Sequence, residues 1–70
     1  MAGRSFAERL RKVRDSKGLS QKEFGEVCGL SEAWISHFEC GRREPSLANL
    51  RMIVAGTGIS ADYLLGVVER

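Results

Sequence analysis

Long apolar runs are missing from this chain: the longest uninterrupted stretch, residues 52–55, has four members. A membrane-spanning helix needs about 20 apolar residues, and the core of a secretion signal about 7–15. Neither is expected, and the expected location is the cytoplasm. Histidine occurs once, so there is no Ser/His/Asp spacing for nucleophilic catalysis, and no glycine-rich loop is placed to cradle a phosphate. An enzyme is not expected. The two cysteines, Cys28 and Cys40, stand twelve apart with no CxxC or other zinc-ligand spacing. They read as reduced thiols in a reducing compartment, a disulfide needing an oxidising one. No metal or other cofactor is expected. Proline occurs once, and no stretch alternates over five residues with β-branched enrichment, so strands are not expected either.

What remains is an ordinary globular balance: 70 residues, 43% apolar and 29% charged. That excludes intrinsic disorder and leaves room for one domain spanning residues 1–70. A core of this size supplies about 3–5 kcal/mol of net stability, so every cap and turn must agree with the fold. The formal net charge is +2, and it is unevenly spread. Residues 1–17 carry six basic and two acidic groups, residues 18–44 three and five, and residues 45–70 two of each. The positive end permits a nucleic-acid partner without demanding one.

Serine and glycine punctuate the chain. Ser5, Ser20, Ser31, Ser46 and Ser60 each precede a stretch of helical spacing, where a hydroxyl can accept from an orphan amide of the first turn. Gly18, Gly29, Gly41, Gly56 and Gly66 each follow one and are expected to end it in the left-handed conformation. SFAE at 5–8 and SQKE at 20–23 are capping boxes. Leu19 with Phe24, Leu30 with Ile35, and Ile59 with Leu64 have the spacing of hydrophobic staples. Five helices follow, near 6–17, 21–28, 32–40, 47–55 and 61–65. Their apolar faces agree with the helical period: Phe6, Leu10 and Val13; Phe24, Val27 and Cys28; Ile35 and Phe38; Leu47, Leu50, Ile53 and Val54.

The second and third segments are short and close: QKEFGEVC, then GLS, then EAWISHFE. Two helices joined by a three-residue turn containing glycine form the helix-turn-helix pattern. Gly25 stands where the helices approach, Gly29 where the turn needs a left-handed residue, and Phe24, Cys28, Leu30, Ile35 and Phe38 face inward. The run LSQKEFGEVCGLSEAWISHFECGRREPSLANL, with Gln21, Gly25, Gly29, Ser31, Ile35, Glu39, Gly41, Pro45 and Leu50, resembles the DNA-binding domain of phage Cro and repressor proteins and their bacterial relatives. The tail GISADYLLG is similar to that family's fifth helix, and the likeness covers about 60 of the 70 residues. It implies an all-α fold, a compact five-helix bundle of lambda repressor-like type. It also implies a cytoplasmic, nucleoid-associated protein of bacterial or phage origin. Two departures stand out: Gly25 where the family often has Ala, and Glu32 where it frequently has a basic or amide residue.

The resemblance further implies a double-stranded DNA partner, with the helix near 32–40 entering the major groove. Its face opposite Ile35 and Phe38 carries the candidates for base readout: Glu32, Ala33, Ser36 and His37. Glu32 can accept from a cytosine amino group, Ala33 can meet a thymine methyl, and Ser36 and His37 can donate or accept. Phosphate contact is implied for Gln21, Arg42 and Arg43, with Ser20 and Lys22 as further candidates. Arg9, Arg11 and Lys12 read either as phosphate contacts or as solvated surface. Arg14 and Glu39 match positions that pair in the family and imply a structural ion pair. Trp34 reads as the flank of the buried face, with base or phosphate contact as the alternative. Leu65, Val67 and Val68 are surplus apolar surface after a short last helix, and a homodimer would bury them. The expected function is a transcriptional regulator, a repressor reading a palindromic operator. The alternative is a protein-interaction module, such as an antitoxin or adaptor binding a protein partner, which the acidic balance of residues 18–44 favours.

Overall fold

The computed structural model describes residues 6–67, and within them the chain forms five helices and no strand. These are α1 (Phe6–Lys17), α2 (Gln21–Cys28), α3 (Glu32–Glu39), α4 (Leu47–Thr57) and α5 (Ala61–Leu65). Four begin at a serine with extended backbone whose hydroxyl accepts from the third helical amide: Ser20 from Glu23, Ser31 from Trp34, Ser46 from Asn49 and Ser60 from Tyr63. At Ser20 the box is reciprocal, for the Glu23 carboxylate accepts from the Ser20 amide at 2.9 Å. The box expected at Ser5 lies outside the described residues.

Two boundaries differ from expectation. α3 stops at Glu39, and Cys40 is its cap. α4 runs through Gly56 to Thr57, and Gly58, with φ of 75°, is its left-handed cap. Gly56 instead solves a packing problem. A Cβ there would lie 2.5 Å from the Val27 carbonyl oxygen and 3.0 Å from the Cys28 Cα, so only glycine lets α4 rest on the end of α2. The extra turn is tied off by Thr57, whose hydroxyl donates to the Ile53 carbonyl and accepts from the Ile59 amide.

Each helix contributes to one core: Leu10 and Val13, Phe24 and Cys28, Ile35 and Phe38, Ile53, and Leu64. Burying each of the larger side chains is worth about 1.5–3 kcal/mol before chain entropy is set against it. Leu19, Leu30 and Ile59, the outer halves of the three expected staples, are half-buried against this cluster. Burial in the cluster also pushes the Cys28 thiol above its ordinary pKa, against a smaller pull from Lys17. Arg9 was open to either of two surface roles and takes neither. The residue is 5% exposed, with the guanidinium carbon 4.8 Å from the centre of the Tyr63 ring. The helical period had placed it beside Leu10 without showing that α5 would cover it.

Candidate nucleic-acid interface

The turn between α2 and α3 is built from three residues, Gly29, Leu30 and Ser31. Gly29 has φ of 76°, and the Leu30 amide donates to the Gly25 carbonyl at 2.8 Å. This folds Leu30 back over Gly25. A Cβ on Gly25 would stand 2.5 Å from the Leu30 carbonyl oxygen. Here glycine costs about 1 kcal/mol of helix propensity relative to alanine. In return the turn closes tightly on α2.

α3 is thereby held with Ile35 and Phe38 fully buried. The four readout candidates are not equally available. Glu32 and Ala33 are exposed, whereas Ser36 and His37 are half-buried. Trp34 is 40% exposed, its ring tilted against Phe38 at 5.5 Å between centroids. Together with Ser31, Ala33, His37 and Arg43 it lines a pocket of about 270 Å³ beside the exposed end of α3.

Arg42 and Arg43 are exposed in the loop that follows α3. The Arg42 amide donates to the His37 carbonyl at 3.0 Å, which fixes where the loop leaves the helix. Ser20 and Lys22 are exposed at the start of α2, and the first-turn amides there lack intrahelical acceptors, as at any helix start. Gln21 is partly spoken for: its side-chain amide donates to the Glu39 carboxylate at 3.1 Å. Arg11 and Lys12 are exposed on α1.

Arg14 and Glu39 meet across 25 positions of sequence. Arg14 Nε donates to Glu39 Oε2 at 2.7 Å and Nη2 to Oε1 at 3.1 Å, while Nη1 donates to the Leu19 carbonyl at 2.9 Å. The hydrogen bond to Glu39 raises the Arg14 pKa above its ordinary value despite opposing burial. The guanidinium thus fastens the end of α1 to both the α1–α2 turn and the end of α3.

At the far end of the chain Leu65 and Val67 are exposed, and Val68 lies outside the described residues. Leu47, expected on the inward face of α4 from the helical period, is also exposed, at 66%. Leu47 and Leu65 line one groove with Phe6, Pro45 and Leu50. Among the described residues no three His, Cys, Asp or Glu side chains converge as metal ligands, and no helix is long and apolar enough to cross a membrane.

Five helices with a glycine-bearing turn between the second and third, and a presented α3, define a helix-turn-helix domain of lambda repressor-like architecture. The helix-turn-helix family profile matches residues 10–64, and the chain belongs to that family. The SPbeta prophage-derived HTH-type transcriptional regulator YonR of Bacillus subtilis is 38% identical over 60 residues, which are 86% of this chain and 56% of YonR. Control protein C.MunI of a Mycoplasma species is 38% identical over 66 residues, 93% of this chain and 89% of that protein. The chain therefore spans little more than half of YonR but nearly all of C.MunI. Among solved structures, the P22 c2 repressor in complex with a synthetic operator superposes with a TM-score of 0.82 and 33% identity, over 89% of this chain and 96% of that one.

Proposed function

We propose that this chain is a sequence-specific, double-stranded DNA-binding transcriptional regulator of the repressor type, which lays α3 in the major groove. The observation that carries the reading is the split character of α3. One face is sealed into the core by Ile35 and Phe38, the other presents Glu32 and Ala33 in its first turn, and two exposed arginines stand in the loop after the helix. A helix fixed in this way can bring side chains to base edges while the loop after it meets the backbone. The likeness to P22 c2, a repressor seen with an operator, supports the same placement.

In this reading Arg42 and Arg43 clamp phosphates, with Ser20, Lys22 and the Gln21 main-chain amide at the start of α2 as further contacts. Glu32, Ala33, Ser36 and His37 read bases. Glu32 is repelled by phosphate and is useful only where a base amino group, that of cytosine above all, meets it. The chain acts as a homodimer on a palindrome, in the cytoplasm of a bacterium or a phage-infected cell, and its work is binding rather than catalysis. The test is binding to random duplex DNA at two salt concentrations, followed by selection of bound duplexes from a random pool. Affinity should fall steeply with salt, and Arg42→Ala and Arg43→Ala should each lower the slope by about one unit without changing the selected sequence. Failure to bind any duplex at low salt overturns the proposal in favour of a protein partner.

A further inference from the structure

The imidazole of His37 is held asymmetrically. Its Nδ1 is buried without a hydrogen-bond partner, the one side-chain nitrogen or oxygen in that state among the described residues. Nε2 has no hydrogen-bond partner among the described residues and is not among their buried unpartnered atoms, so it keeps contact with solvent. The Trp34 ring meets the imidazole steeply, with centroids 6.1 Å apart and planes at 79°. Trp34 leans in turn on Phe38, which is fully buried. A chain of ring contacts therefore runs from the core, through Trp34, to the histidine at the rim of the pocket shared with Ser31, Ala33 and Arg43.

A neutral imidazole carries one N–H and one lone pair. An orphaned buried N–H is rarer in folded proteins than an under-used acceptor, because the donor forfeits its only hydrogen bond. Placing the proton on Nε2 leaves only the lone pair buried and turns the N–H outward. The tautomer thus follows from the surroundings of the ring. We propose that His37 reads DNA as a donor only, through Nε2–H, and that Trp34 is the positioning residue that holds it so without touching the bases. This rests on the DNA-binding reading above. In the major groove such a donor is matched by guanine N7 or O6, by adenine N7, or by thymine O4. Cytosine, which offers an amino donor, is rejected.

Two measurements test it. Long-range ¹H–¹⁵N correlation spectra of the parent chain at mildly alkaline pH should show the Nε2–H tautomer, and a spectrum of the Nδ1–H form overturns the proposal. Selection from a random duplex pool is then run on the parent, Trp34→Ala, Trp34→Phe and His37→Glu, with folding checked by circular dichroism. The parent should favour guanine, adenine or thymine over cytosine at one position of each half-site, by about fivefold to a hundredfold. Trp34→Ala should flatten that position alone, Trp34→Phe should restore it, and His37→Glu, an acceptor, should turn it to cytosine. If Trp34→Ala does not fold, the Trp34→Phe and His37→Glu profiles decide. An unchanged profile in Trp34→Ala or His37→Glu, or a parent that prefers cytosine there, overturns the proposal. A parent that selects no duplex fails the DNA-binding reading instead, and the spectra still decide the tautomer.

Discussion

Glu39 keeps its carboxylate almost free of water, with a side chain 4% exposed, and three nitrogens from two other helices satisfy it. Removing one partner from such a group strands a charge, which typically costs about 3–5 kcal/mol. Gln21 would still donate to Glu39 in Arg14→Ala, so the loss is expected near the lower end, about 3 kcal/mol. Arg11→Ala, at an exposed position on the same helix, should cost less than about 0.5 kcal/mol. In a domain this small the gap corresponds to a melting temperature lower by more than about 10 °C. Equal melting curves for the two variants would remove the structural role of Arg14. Arg14→Lys should not restore stability, because an ammonium cannot make the planar two-point contact or reach the Leu19 carbonyl at the same time.

At the scale of elements, the end of α4 sets two local rules against each other. Alanine is a better helix former than glycine by about 1 kcal/mol, so propensity alone predicts that Gly56→Ala is stabilising. The Val27 carbonyl, 2.5 Å from where the new methyl would sit, predicts the reverse. Backbone cannot give way as a flexible side chain can, so α4 must lift from α2. The expected net loss is about 1–3 kcal/mol, read as a lower melting temperature. A higher one would show that α4 does not rest on α2 this closely. The same site shows why the boundary of α4 was misplaced by two residues. Gly56 and Gly58 flank Thr57 and look equivalent as helix ends. Only the proximity of α2 shows that Gly56 is needed for close packing and Gly58 for the turn.

For the whole molecule, specificity sets the requirement. One recognition helix meets too few base pairs to discriminate among a genome of competing sites, and two-fold dimers answer this by reading half-sites about 34 Å apart. The groove of Phe6, Pro45, Leu47, Leu50 and Leu65 lies at the end from which Val67 emerges exposed. A second copy covering it would account for the exposure of Leu47 as well as Leu65. The double variant Leu65→Glu, Val68→Glu should weaken operator binding and leave helix content intact. Sedimentation of the parent at rising concentration should show a monomer–dimer equilibrium, lost in the variant. A strictly monomeric parent that binds a palindrome without cooperativity would refute the interface.

Much of this was legible before folding, and the division has a physical basis. Serine caps, the capping box at Ser20, the glycine turn at Gly29 and the inward positions Leu10, Phe24, Ile35 and Phe38 all arise from interactions three or four residues apart, or from the helical period. Local sequence therefore determined four helix starts, the five-helix order, and which face of α3 is sealed. The ion pair of Arg14 with Glu39 came from family likeness, since nothing in a span of 25 residues announces it. Tertiary structure alone decided that Arg9 is covered by Tyr63, that Gln21 turns its amide to Glu39, that Leu47 stays outside the core, and that His37 buries one nitrogen while freeing the other. Each of these depends on which helices touch, a choice made by the shape of the assembled core rather than by the spacing of residues within any one helix.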